Sequence, residues 1–243
     1  MSQKQRIDQQ PAYVLHAYPW RETSLIVEIL SRDHGRVAMV AKGARRPTSA
    51  LRGVLMAFQP LRIDWSGGGE VKTLVRAEWQ AGQPLLQGRA LLCGYYLNEL
   101  LVRLTAREDP HPSLFETYAS ALRALAQPHA LSPILRGFEL ALLRELGYAV
   151  VLEHEARQGA PIEPASRYAY IIDEGPVEIV DAREVTADQI VFSGQSLLDM
   201  AADRFDRPET LAQSKVLLRM LINHQLGGQS LQSRRVLTEL QAL

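Results

Sequence analysis

The chain of 243 residues is 47% apolar and carries 27 basic and 27 acidic side chains, enough apolar residues for one large domain or two to three small ones and too many for wholesale disorder. A single cysteine, Cys93, excludes an intrachain disulfide framework and any cysteine-based zinc cluster. Overall neutrality excludes a protein that coats nucleic acid indiscriminately, yet residues 1–80 hold 12 Lys and Arg against 7 Asp and Glu, while the remainder holds 15 against 20. The basic part, at +5, is the one suited to a polyanion, over a local surface.

Residues 1–10 are polar and charged, unlike a signal peptide, and no stretch approaches the about 20 apolar residues of a membrane span. A soluble cytoplasmic protein is expected. The first 80 residues predict five short strands. These are Tyr13 to Tyr18, ended by Pro19; Ser24 to Leu30, followed by a turn through Asp33-His34-Gly35; and Arg36 to Ala41. Gln59 to Trp65 and Val71 to Trp79 follow, joined by the Ser66-Gly67-Gly68-Gly69 turn. Short strands without a long helix fit a small closed β-barrel, which has no open sheet edge. Their number favours an OB-fold over an SH3-like barrel.

The third strand feeds Lys42-Gly43-Ala44-Arg45-Arg46-Pro47, and the loop closes at Arg52-Gly53. Six cations from Arg32 to Arg52 (Arg32, Arg36, Lys42, Arg45, Arg46 and Arg52) face one acid, Asp33. Mobile cations beside a rigid sheet suit a phosphate backbone, the plainer alternative being a solvated surface loop. The barrel aromatics Tyr13, Tyr18, Trp20, Phe58, Trp65 and Trp79 offer stacking surfaces for bases. Alternation assigns most to the core and leaves one or two exposed, with Trp20, just after Pro19, best placed.

Helical periodicity then takes over. In Leu85 to Arg107, Leu92, Tyr96, Leu100 and Leu104 recur every fourth residue. Ser113-x-x-Glu116 reads as a capping box, and Ser132-Pro133 as an N-cap with proline at the first helical position. Gly147 stands where a helix-ending glycine belongs. From 148 to 192 the pattern breaks. Tyr168 to Ile172 and Val177 to Val180 flank Asp173-Glu174-Gly175-Pro176 as a hairpin would. Helices resume at Ser196 to Phe205 and Glu209 to Leu226, stop at Gly227-Gly228, and a short one follows Leu231. The expected fold class is α+β: an OB-fold barrel (1–80), a helical domain in two parts (81–147 and 193–243), and between them an insertion with a β-hairpin (148–192).

No phosphate-cradling G-x-x-x-x-G-K-[ST] loop or G-x-G-x-x-G turn exists, and the histidines (16, 34, 111, 129, 154, 224) form no pair at metal-ligand spacing. No catalytic residue, metal ligand or cofactor is assigned.

Several segments carry a likeness. Ala12-Tyr13-Val14-Leu15-His16, Arg21-Glu22-Thr23-Ser24-Leu25, Ala41-Lys42-Gly43-Ala44-Arg45-Arg46, Tyr95-Tyr96-Leu97-Asn98-Glu99-Leu100-Leu101, Arg136-Gly137-Phe138-Glu139-Leu140 and Leu231-Gln232-Ser233-Arg234-Arg235 resemble, in order and spacing, the RecO family of bacterial DNA-repair mediators. The resemblance implies an N-terminal OB-fold, a C-terminal helical domain and a non-catalytic role in the RecF recombination pathway. It implies binding of single- and double-stranded DNA, annealing of complementary strands and, with RecR, loading of RecA onto strands coated by single-strand-binding protein. It also implies a cytoplasmic protein that joins the nucleoid during repair. Some members carry four zinc-binding cysteines in the region matching 150–190; this chain has none there. The family likeness further implies that the net-acidic helical domain receives the acidic C-terminal tail of single-strand-binding protein. Arg136, beside an apolar stripe, suits the tail's carboxylate, with Arg123 assisting; the alternative is that Arg136 pairs with Glu139. Barrel and basic loop alone fit equally an OB-fold RNA-binding or translation-associated module.

Overall fold

A computed structural model describes residues 6–148, 150–180 and 189–241. Strands β1 (Arg6–Trp20), β2 (Ser24–Ser31), β3 (Gly35–Ala41), β4 (Pro60–Ser66) and β5 (Val71–Trp79) close a barrel in the order β1-β2-β3-β5-β4. β3 and β5 run parallel and the other pairs antiparallel. This is the OB-fold expected from the strand count.

Closure depends on β1, which serves two neighbours. Arg6 to Tyr13 pair with β4, and Ala12 to Trp20 pair with β2. Bulges between Ile7 and Gln10 and between Val14 and His16 bend it around the barrel. At the first bulge Gln9 has φ +55°, and side chains replace the missing ladder bonds: its N–H donates to Asp64 (2.7 Å) and its carbonyl accepts from Arg62 (2.8 Å). Pro19 does not end the strand as expected. It pairs opposite Leu25, one rung before the hairpin turn, where proline is tolerated.

Period-two alternation fills the interior with Val27 and Ile29, Val37 and Met39, and Leu61, Ile63 and Trp65. The outward face of β2 is buried too, which explains its nearly continuous apolar run. Helices α2 (Gly88–Leu104) and α3 (Pro112–Leu125) belong to the same compact unit as the barrel, residues 1–129 with 230–243. Tyr13 of β1 packs edge-on against Tyr118 of α3 (5.2 Å), and Asn98 of α2 donates to the Leu15 carbonyl (2.8 Å). Gly35, at φ +64°, admits no side chain: a Cβ would stand 2.0 Å from the Asp109 carbonyl oxygen. A four-residue helix, α1 (Leu51–Val54), lies between β3 and β4.

The second compact unit spans 130–229. It holds α4 (Leu131–Glu145), the strands β6 (Arg167–Ile171), β7 (Gly175–Glu178) and β8 (Val191–Ser193), and helices α5 (Gly194–Ala201) and α6 (Pro208–Gln225). The expected hairpin is β6–β7, and β8 adds a third strand in the order β7-β6-β8. Asp199 of α5 joins it to α6 by accepting from Thr210 (2.8 Å), and also accepts from Gln195 within α5 (2.9 Å). Gly147 (φ +76°) ends α4 as expected, with its N–H on Arg144 and that of Tyr148 on Leu143, both at 3.0 Å.

Two caps differ from expectation. α3 starts at Pro112 after His111, so Ser113 lies inside its first turn; α4 starts at Leu131 after Ala130, so Ser132 does too. Proline's fixed φ and missing N–H suit the first turn as a whole, so Pro112 and Pro133 support starts earlier than the serines suggest. The final helix, α7 (Gln232–Gln241), returns to the first unit and packs on α2.

Candidate nucleic-acid interface

Strand β3 divides the basic segment of the sequence. Arg32 and Arg36 lie at its start and Lys42, Arg45, Arg46 and Arg52 beyond its end, roughly 20 Å away at the usual rise of a strand. Six cations that are contiguous in sequence therefore form two groups at opposite ends of the barrel.

The group at the β2–β3 turn is internally neutralised. Arg32 makes a two-pronged bond to Asp33 (2.8 and 3.1 Å), which holds that carboxyl below its usual range. Arg36 is mostly buried, bonds Glu28 at 3.0 Å and donates to the Thr105 carbonyl at 3.0 and 3.3 Å. Arg107 also reaches Glu28. Arg36 thus ties the end of α2 to the barrel, and its guanidinium is committed to Glu28 and the Thr105 carbonyl.

The group beyond β3 is different. Lys42, Arg45, Arg46 and Arg52 are exposed, and none forms an ion pair among the described residues. Backbone bonds hold their loop in place. The Arg45 N–H donates to Thr23 (2.8 Å), that of Arg46 to Gly43 (3.1 Å) and that of Ser49 to Arg46 (3.0 Å). Gly43 (φ +69°) makes the turn. The Arg45 guanidinium donates to the Arg21 carbonyl (3.3 Å), so the loop docks on the β1–β2 turn. That turn brings in Arg21 and Trp20, the latter 43% exposed. One end of the barrel thus gathers five arginines and lysines beside an open indole, with Glu22 the acid of the turn. Arg21 was not singled out from sequence. Antiparallel parity was the available signal, because β1 must end where β3 ends if β2 lies between them.

The aromatics also sort. Tyr13, Phe58 and Trp65 are buried, while Tyr18 (38% exposed), Trp20 and Trp79 (55%) are open. Three open rings exceed the one or two expected. Trp79 keeps the inward parity of Ala77, but it stands at the strand's end, where its indole N–H donates to Gln59 (3.1 Å) and more than half of the residue stays open.

Arg123 is exposed on α3 in the first unit and donates to Ser120 (2.9 Å). Arg136, on α4 in the second unit, is 9% exposed and bonds the fully buried Glu139 at 2.8 Å. The pairing alternative therefore describes Arg136, though the pair is buried rather than superficial. Among the described residues no group of three or more His, Cys, Asp or Glu could hold a metal ion. No described helix is long and apolar enough to cross a membrane.

A closed barrel of this topology places the N-terminal region in the OB-fold class, whose members bind oligonucleotides and oligosaccharides. A family model described as Recombination protein O N terminal matches residues 3–82, and one described as Recombination protein O C terminal matches residues 85–235. A DNA repair protein RecO of Aromatoleum aromaticum is 70% identical over 243 residues, covering 100% of both chains. That of an Azoarcus species is 67% identical over 240 residues, 99% of each, and that of Paraburkholderia xenovorans 52% identical over 238 residues, 98% of this chain and 79% of the relative. This chain belongs to the RecO family, and its role lies in DNA repair and recombination.

Proposed function

We propose that the chain is a non-catalytic, DNA-binding mediator of the RecF pathway. In this reading it binds single- and double-stranded DNA, anneals complementary strands and, with RecR, helps to load RecA onto strands coated by single-strand-binding protein. The observation that carries the DNA-binding step is the cluster of Lys42, Arg45, Arg46 and Arg52 beside Arg21 and Trp20. Cations that form no ion pair among the described residues, held by a pinned loop, are ready for phosphates. Trp20 is available for a base.

RecR, RecA and the tail of single-strand-binding protein enter through family membership. Within that proposal the barrel (1–80) serves DNA and the helical segments serve protein partners, in the cytoplasm and at the nucleoid during repair. For Arg136 to hold a tail carboxylate its bond to Glu139 must open, so Arg123 is the more accessible of the two.

Annealing needs only that two strands be neutralised and brought together, so complementary oligonucleotides should anneal in excess chelator without ATP. A strict requirement for zinc, or ATP hydrolysis by the pure protein, would contradict a non-catalytic mediator. Competition between single-stranded DNA and RNA of one sequence addresses the RNA-binding alternative, which a clear preference for RNA would favour.

A further inference from the structure

The loop after β3 and the short α1 enclose a depression of about 350 Å³, with a floor of Leu25, Ala44, Leu51 and Leu55 and the exposed Arg45 and Arg52 also lining it. The floor is continuous with the barrel interior. Ala44 belongs to the buried core, and the three leucines are half-buried against it. Ala44 is also held by its N–H on the Ala41 carbonyl (3.4 Å) and Leu55 by its N–H on Leu51 (2.9 Å). The depression is thus set in a supported wall and lined by two arginines with no ion pair among the described residues, Arg45 donating to the Arg21 carbonyl (3.3 Å).

An apolar floor with two cations in its lining suits a ligand that is flat and weakly polar in the middle and anionic on both sides. One nucleotide of a single strand has that form, its base lying between a 5′ and a 3′ phosphate. In a duplex the base is stacked and paired, and only the phosphates are on offer. An acidic peptide fits less well, because its charges sit on flexible side chains with no fixed apolar plate between them.

We infer that this depression receives one unstacked base of a single strand, with the flanking phosphates on Arg45 and Arg52. The inference rests on the DNA-binding reading and adds to it the state of the ligand, an unpaired nucleotide. It also gives this end of the barrel a reason to prefer single strands over duplex.

The test uses the full-length protein in the Trp20→Ala background, which removes stacking on the indole. Oligothymidylate is compared with an oligonucleotide of equal length whose sugars lack bases, so that the phosphates are the same. The intact strand should bind about tenfold more tightly, the scale of one buried base. Leu55→Asn should abolish that ratio. A measurement free of floor variants uses 2-aminopurine within the oligonucleotide. Its emission should rise on binding, because an aliphatic pocket unstacks the base without an aromatic quencher. Equal affinity of intact and abasic strands, with unchanged emission, would overturn the pocket and leave the phosphate contacts standing. Failure to bind either strand would instead overturn the DNA-binding reading itself. Displacement of the strand by an acidic, apolar-ended peptide, with intact and abasic strands equal, would assign the depression to a protein and overturn the inference.

Discussion

Arginine occurs in this chain in two settings that the sequence alone does not separate. Arg45, Arg46 and Arg52 are exposed without ion pairs among the described residues, whereas Arg36 is mostly buried against Glu28 and Arg136 is buried against Glu139. A buried pair adds little over a well-packed apolar pair, but removing one partner deprives the other of its counter-charge and costs about 3 kcal/mol or more. Arg136→Ala should therefore lower the urea midpoint of unfolding, and Arg136→Met with Glu139→Leu should recover most of the loss. An unchanged midpoint for the alanine variant would show that the pair does not hold α4. Any loss of partner binding by Arg136→Ala must be judged beside that destabilisation. Residue type and periodicity placed Arg136 on the right helix beside the apolar stripe. They did not reveal its burial, because Glu139, three residues on, reads equally as a surface neighbour. Arg36 was illegible for a related reason: its partners Glu28 and Thr105 come from another strand and from the end of α2.

Elements were legible where one face is buried. Strands β2 to β5 and the longer helices followed from their apolar periods, whereas the four-residue α1 was too short to carry one; Gly147 and the Gly227-Gly228 pair marked real helix ends. β1 was read too short because bulges interrupt its alternation, and β8 went unseen because three residues carry no period. The docking of α7 is of the same kind. Glu99 of α2 accepts from the backbone N–H groups of Gln232 and Ser233 (both 2.8 Å) and from the Ser233 hydroxyl (2.7 Å), more than 130 residues away in sequence. Arg234 adds a bond to the Tyr96 hydroxyl (3.1 Å). Burial alone would raise the Glu99 carboxyl, but the Ser233 and Gln232 bonds outweigh it and hold the carboxyl below its ordinary value. A depressed folded value means that this contribution is complete above the ordinary glutamate range and fades as pH falls through the folded value. Glu99→Gln should thus remove part of the acid dependence of the melting temperature between about pH 6 and pH 3. It should also speed amide exchange in the first turn of α7. Parallel melting curves for variant and parent would refute this latch.

At the scale of the whole molecule, charge asymmetry pointed to the basic N-terminal region, and the OB-fold came from counting strands. The parallel β3–β5 pairing that closes the barrel left no mark in either, since it joins strands separated by a loop, α1 and β4. For the same reason the basic run looked like one patch. Topology sends Arg32 and Arg36 to one end of the barrel and gathers Lys42, Arg45, Arg46 and Arg52 with Arg21 and Trp20 at the other. We propose that the second end alone meets the phosphates. The most direct test is the salt dependence of affinity for single-stranded DNA, in which each neutralised phosphate contributes about 0.7 to the logarithmic slope. Arg45→Ala with Arg46→Ala should flatten that slope by about 1.4, whereas Arg32→Ala, at the opposite end, should leave it unchanged. An unaltered slope in the double variant, or an equal flattening by Arg32→Ala, would contradict the assignment.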